Sequence, residues 1–215
     1  MGSTRLPGKV LKPLGTKTIL EYIIYRLERL SHNAEVIIAT SDLKKDEALE
    51  QLCNTHNLLC FRGNEANVLE RYYSCAKKHA FTDVVRLTGD NPFIDIEELD
   101  NLIDLHINSR ADYSRSFRVL PKGVGSEIFK FSALAESYRY GVNENHKEHV
   151  NEYIEENEDK FNISELNVSK YKENLDISLT VDTPDDYQKA CFIITNSKNE
   201  YVTTQEAIEL CLQYA

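Results

Sequence analysis

The sequence predicts an α/β protein of Rossmann-like type, a mostly parallel sheet with helices on both faces. Three observations carry that expectation. Short apolar runs rich in β-branched residues alternate with longer stretches of helical periodicity along residues 18–108. Helix-start signals stand where the periodicity changes, as at Thr18 with Glu21 and at Thr183 with Asp186. Acidic residues, Asp90 and Asp182, follow two of the apolar runs, at the carboxyl ends of strands where such sheets bind ligands.

The elements follow in order. Leu20, Ile23, Ile24, Leu27 and Leu30 recur at helical spacing behind the Thr18–Glu21 capping box. The run Val36–Thr40 predicts a strand, followed by a charged helix through about residue 56. The alternation repeats with a strand at Leu58–Phe61, a helix over Asn67–Ala80, a strand at Val84–Thr88 and a helix over Asp95–Asn108. From 112 to 170 the pattern is less regular, with strand-like pieces at Ser126–Phe129 and Ile163–Val168 around a helical Asn145–Asn157. This reads as an acceptor-binding or dimerisation excursion within one domain over 1–215. The chain then predicts a strand at Ile177–Val181 and helices over Pro184–Thr195 and Thr203–Tyr214.

Composition narrows the function classes. The 215 residues carry a net charge of −10, which argues against general nucleic-acid binding. Residues 1–20 hold Arg5, Lys9, Lys12 and Lys17 and no acid, leaving −14 for the rest. A small basic end on an acidic body suggests a compact anion site. No apolar run approaches a membrane span and no charged-then-apolar leader opens the sequence, so the expectation is a soluble, cytoplasmic protein. The five cysteines show neither a C-x-x-C pair nor zinc spacing and read as buried thiols.

The opening Met1-Gly2-Ser3-Thr4-Arg5-Leu6-Pro7-Gly8-Lys9 joins glycines, hydroxyls and two cations in nine residues. Glycine lets backbone N–H groups approach phosphate oxygens, and Arg5 and Lys9 offset their charge. It matches neither the P-loop nor the dinucleotide fingerprint, and a basic, flexible terminus is the alternative on composition alone.

With Leu11-Lys12-Pro13-Leu14-Gly15 after it, this segment resembles the signature of the cytidylyltransferases that activate sugar acids, nearest the branch of spore-coat polysaccharide synthesis. The resemblance continues through Phe61-Arg62-Gly63, Val68–Tyr73, Arg86-Leu87-Thr88-Gly89-Asp90-Asn91-Pro92, Glu148-His149-Val150 and Val181–Asp186. It implies a nucleotidyltransferase fold and transfer of CMP from CTP to a sugar or sugar-like acid, releasing pyrophosphate. It further implies a homodimer.

Asp90, exposed by a turn with Gly89 and Pro92, and Asp182, ending its strand before Thr183 and Pro184, should face one crevice. Taken singly they could be a turn residue and a helix cap. Two hard oxygen ligands with phosphate oxygens and water suit Mg²⁺, and the resemblance makes these aspartates the metal ligands. It assigns Gly2, Ser3, Thr4, Arg5, Lys9, Arg62, Thr88 and Gly89 to the nucleotide, with Arg5, Lys9 and Asp90 as catalytic groups. Arg62 reads equally as a solvated surface arginine, and Arg71 as a helix anchor.

Arg115, Arg118 and Lys122 form a local basic group near Glu127, where the family recognises its acceptor. With His149 they are the candidate pocket for an anionic acceptor, although a solvent-facing strand edge would carry such cations too. Gly125 stands where the family often carries an acid. His146 and His149, three apart, lack a third ligand for zinc. Proteins of this family open with a hydrophobic strand that leads into the phosphate loop, whereas here the loop starts at Met1. The expectation is therefore either an upstream start or a truncated, non-catalytic nucleotide-binding or oligomerisation form. A sugar nucleotidyltransferase using another nucleotide is a further alternative.

Overall fold

Helix α1 (Ile19–Leu27) starts where the sequence places it, because Thr18 Oγ1 accepts from the Glu21 N–H at 3.2 Å and Glu21 accepts from the Thr18 N–H at 2.6 Å. It follows a small hairpin, β1 (Pro13–Leu14) with β2 (Lys17–Thr18), turned by Gly15 at φ 66. This computed structural model describes residues 1–214. The fully buried Arg26 ties α1 to the rest of the molecule by donating to the carbonyls of Ile94 and Val202, both at 2.8 Å. A cation this deep persists because its donors are satisfied.

The next elements alternate as predicted: β3 (Ile37–Ser41), α2 (Glu47–Thr55), β4 (Leu59–Gly63), α3 (Val68–Lys78), β5 (Asp83–Arg86) and α4 (Ile96–Ser109). The stretch 112–170 supplies β6 (Tyr113–Arg115), β7 (Glu127–Lys130), α5 (Phe131–Tyr140), two short helices α6 (Glu144–Glu148) and α7 (Glu152–Glu155), and β8 (Ile163–Glu165). Three of the four strands in the sheet ordered β5-β7-β6-β8 thus come from the region read as an excursion. The chain closes with α8 (Pro184–Asn196) and α9 (Thr204–Tyr214).

The sheet is mixed rather than mostly parallel. β3 pairs with β4 and β6 with β8 in parallel, but β7 runs antiparallel to both β5 and β6. No helix intervenes between β6 and β7, so the chain returns antiparallel; a parallel return needs a crossover. Residues Ile177–Val181, predicted as a strand, make a single parallel bridge, Ser178 with Lys122. Their partner stretch cannot sustain a ladder, because Pro121 has no N–H and Gly123 sits at φ 89. The ribbon is still held, by Lys122 N–H to Ile177 O at 2.9 Å and Leu179 N–H to Lys122 O at 2.8 Å.

Two cores flank the sheet. One gathers α1, α8 and α9 around Ile19, Phe93, Leu99, Leu120, Leu179 and Val181. The other packs Tyr113 and Phe129 against Leu69, Leu134, Val150 and Ile154.

Apart from the β1–β2 hairpin, the strands fall into two blocks, β3–β4 and β5–β7–β6–β8. Among the described residues β3 pairs only with β4 and β5 only with β7. Between them lies a cavity of about 370 Å³, lined by Val36–Thr40, by Val85–Gly89 and by Ile23, Ile24 and Leu27 of α1. One further strand there would join the blocks into a continuous sheet. The amino end of Met1 lies at the carboxyl end of β3, paired with Asp46 at 2.8 Å, while Asp46 also accepts from Thr40 and Ser41.

Candidate active site

The opening segment folds as a turn rather than a loose terminus. Leu6 is buried, its N–H donates to Ser3 Oγ at 3.1 Å, and Lys9 N–H donates to Leu6 O at 3.2 Å. Gly8, at φ 67, precedes a short 3-10 turn, Lys9–Leu11. Positive φ disfavours residues with a Cβ, so glycine is what lets the chain turn here and present Lys9. Thr4 and Arg5 are exposed, as is Gly2.

Lys9 joins the two aspartates. Its Nζ is 2.9 Å from Asp90 Oδ2 and 2.8 Å from Asp182 Oδ1, and Arg5 Nη2 lies 3.3 Å from Asp182 Oδ2. The carboxylates predicted to share one crevice therefore meet a single cation position. Their approach is built into the main chain, because the Val181 N–H donates to the Asp90 carbonyl at 2.8 Å.

Asp90 is also oriented from its own turn. Thr88 Oγ1 donates to Asp90 Oδ1 at 2.6 Å, and Asn91 Nδ2 donates to Thr88 Oγ1 at 2.8 Å. Burial alone would raise the Asp90 pKa. The Thr88 hydroxyl and the Lys9 ammonium outweigh it and hold the carboxyl below its ordinary value. Asp182 precedes the Thr183–Asp186 capping box of α8, with Pro184 in the first turn, and its own N–H donates to Asp186 at 3.2 Å. Gly89 lets the opening turn come close, since a Cβ there would stand 3.0 Å from Val10 Cγ1.

The donor set fits a hard divalent cation. Two carboxylates reach one position, and no group of three or more His, Cys, Asp or Glu able to hold a metal occurs among the described residues. Two carboxylates are the kind of partial ligand set that Mg²⁺ takes, with waters and phosphate oxygens as its remaining ligands.

Other predicted residues lie elsewhere or are engaged. Arg62 donates from Nε to Ser41 O at 2.6 Å, from Nη1 to Glu50 at 2.6 Å and from Nη2 to Leu43 O at 2.9 Å. It staples the ends of β3 and β4 together. Arg115 is 3% exposed, with Glu155 at 3.2 Å, Glu158 at 3.1 Å and Glu165 at 3.5 Å, and Arg118 faces the same three acids. The two arginines of the basic group visible in the local sequence are thus neutralised by carboxylates far downstream in the chain. Glu127 is buried, ion-paired with Arg86 opposite it on β5, and accepts from Tyr113 Oη at 2.6 Å. Burial works against the Arg86 charge, but the Glu127 carboxylate more than compensates and raises its pKa. His149 is exposed at the end of α6, whereas His146 is buried on Glu156 at 2.8 Å. A Cβ on Gly125 would stand 2.6 Å from Phe117 Cα, so no acidic side chain fits at that position without moving the backbone.

Sequence reasoning missed Asn91, whose amide holds Thr88 and through it Asp90, and the Arg86–Glu127–Tyr113 network. The i, i+3 spacing of Asn91 after Thr88 was the available signal. The network had none, because its members are brought together by sheet pairing. Cys53, Cys60, Cys75, Cys191 and Cys211 are all free, and burial pushes the Cys53 thiol up to about 12. Among the described residues no helix is long and apolar enough to cross a membrane.

The chain is similar to known proteins over nearly its whole length. Residues 1–208 match the family described as Cytidylyltransferase. The spore coat polysaccharide biosynthesis protein SpsF of Bacillus subtilis is 34% identical over 193 residues, covering 87% of this chain and 80% of that protein. The 3-deoxy-manno-octulosonate cytidylyltransferase of Methylococcus capsulatus is 40% identical over 131 residues, 60% of this chain and 49% of that enzyme, so the match spans about half its length. Among solved structures, a cytidylyltransferase from Leptospira borgpetersenii superposes with a TM-score of 0.91 at 30% identity, covering 99% of this chain and 90% of that one. With nearly the whole chain matched in sequence and in fold, this protein belongs to the cytidylyltransferase family of enzymes.

Proposed function

We propose that the chain transfers CMP from CTP to an anionic sugar or sugar-like acid and releases pyrophosphate. The observation that carries this reading is the meeting of Lys9, Asp90 and Asp182 beside a glycine-containing turn. In this reading Arg5 and Lys9 are the cations for a triphosphate and the two aspartates the dicarboxylate for a metal.

In this reading Gly2, Ser3 and Thr4 offer loop donors to the phosphates, and Arg5 and Lys9 take up the charge of the departing pyrophosphate. Thr88 and Gly89 shape the nucleotide side, and Arg62 joins it by exchanging protein partners for the nucleotide. Asp90 and Asp182 hold Mg²⁺, which when bound supplies charge neutralisation at the phosphate oxygens. No protein nucleophile is needed, because the acceptor hydroxyl attacks the α-phosphorus directly and the site contributes positioning and electrostatics. The acceptor side is assigned to the region of Arg115, Arg118, Glu127 and His149, with Arg115 and Glu127 acting as its rigid frame. The stretch 112–170 is the proposed dimer contact, and the protein acts in the cytoplasm. The similarity to a 3-deoxy-manno-octulosonate enzyme and to SpsF supports a sugar acid destined for a surface polysaccharide.

Mg²⁺-dependent pyrophosphate release, measured with each of the four nucleoside triphosphates against a panel of sugar acids, tests the proposal. CTP-selective release dependent on an acid supports it. Selective release with another nucleotide would replace CTP, and none with any nucleotide would leave a nucleotide-binding role.

A further inference from the structure

Every oxygen of the dicarboxylate is already occupied by a group of the protein itself. Asp90 Oδ1 accepts from Thr88 and Asp90 Oδ2 from Lys9; Asp182 Oδ1 accepts from Lys9, and Asp182 Oδ2 faces Arg5. Two carboxylates drawn this close repel one another unless a cation sits with them. Lys9 is that cation, at 2.9 and 2.8 Å, and its side chain is 13% exposed. Arg5 is a lesser partner at 3.3 Å, with a side chain 65% exposed and screened by solvent.

The backbone of Lys9 is held by the turn, so release of the aspartates needs only its side chain to move. Gly8 and the 3-10 turn fix the position of its Cα, whereas the ammonium stands on a flexible four-carbon stem. A dication that bound the same four oxygens would share its coordination shell with an ammonium, so one cation must leave. A triphosphate beside the turn offers Lys9 a stronger anionic partner without any backbone change.

Resting on the assignment of Asp90 and Asp182 as the metal pair, we infer that Lys9 is a built-in counter-ion. It closes the dicarboxylate to divalent cations until a triphosphate draws the ammonium away, so that metal and nucleotide enter together. Lys9 thereby has two successive partners, the aspartates at rest and the phosphates in the loaded site. The arrangement also spares the resting protein an uncompensated pair of half-buried acids.

Mn²⁺ binding without nucleotide, followed by electron paramagnetic resonance, tests this independently of turnover. Lys9→Met and Lys9→Gln should each bind Mn²⁺ at least about tenfold tighter than the unaltered chain, within the usual range of coupling between ligands. Lys9→Arg, which keeps the charge, should stay as weak as the unaltered chain. Circular dichroism confirms that each variant is folded. Equal Mn²⁺ affinity in the unaltered chain, Lys9→Met and Lys9→Gln would overturn the inference, as would tightening by Lys9→Arg to the same degree. Adding Asp90→Asn and Asp182→Asn to Lys9→Met should abolish the gain. If the gain survives, the metal pair itself is misassigned; if it never arises while CTP turnover stands, only the role of Lys9 falls.

Discussion

The two blocks of the sheet contain similar residues and end up in different environments. In the β5–β7–β6–β8 block, Tyr113 and Phe129 are completely buried, with ring centroids 4.9 Å apart. In the β3–β4 block, Ile37 and Ile38 are only half-buried, and both line the cavity between the blocks. Val36-Ile37-Ile38 has the composition of a strand covered on both sides. The contrast teaches that burial of a strand is decided by its neighbours across the sheet. The candidate active site lies at the carboxyl end of the seam, with Asp90 after β5 in the tightly packed block and Met1 paired to Asp46 beside the open one.

The largest effect should come from the closed side of the seam. Asp90→Ala or Asp182→Ala should lower CTP turnover by more than about 100-fold, the scale of removing a charge-stabilising group. Far-ultraviolet circular dichroism should change little, because both side chains are engaged in the site and not in either core. Retained turnover in both would remove these residues from the reaction.

Truncation should then separate the blocks energetically. Phe129→Ala should cost about 3–5 kcal/mol in urea unfolding, as for a fully buried aromatic residue. Ile38→Ala should cost about 1 kcal/mol, because much of its surface already faces the cavity. Equal costs would mean that the two blocks are packed alike.

A third expectation fills the seam. Fusing an apolar, β-branched segment of about five residues ahead of Met1 should raise the thermal midpoint by several degrees, since each kcal/mol gained is worth about 2–4 °C at this size. A segment of the same length carrying charges should not. The apolar fusion should also slow amide hydrogen exchange in β3 and β5, by pairing edges that have no partner among the described residues. An unchanged midpoint and exchange pattern would show that the cavity does not take a strand.

The smallest effect is far from the seam. His32 contacts Asp100 at 2.8 Å and Asp104 at 3.1 Å, and the Asp100 bond raises its pKa against the opposing pull of burial. A raised folded-state value stabilises fully below the unfolded value of about 6.5 and is lost as pH rises through the folded value. The difference in thermal midpoint between the unaltered chain and His32→Asn should therefore be larger at pH 5.5 than at pH 8.5. A difference independent of pH would assign the contact to shape alone.

Much of this was legible in the sequence where the signal is local. Thr18 with Glu21 and Thr183 with Asp186 are capping boxes in both readings, because a cap is a contact between residues three apart. Asp90 and Asp182 were expected at one crevice because each follows an apolar run at the end where ligands collect, and both carboxylates reach Lys9. The ion pairs of Arg115 and Arg118 were hidden for the opposite reason: their partners Glu155, Glu158 and Glu165 lie far along the chain. The antiparallel sense of β7 was likewise hidden, since periodicity gives a strand but not its direction.

What the sequence by itself determined is the family, the run of strands and helices, and the identity of the groups that carry charge at the opening turn. All of these depend on residue type and short spacing. Only the tertiary structure decided which charges are free to act. It buried Arg115 and Glu127 in ion pairs, closed Arg62 onto the β3–β4 ends, and set Lys9 between Asp90 and Asp182, because long-range pairing of opposite charges is settled by packing and not by proximity along the chain.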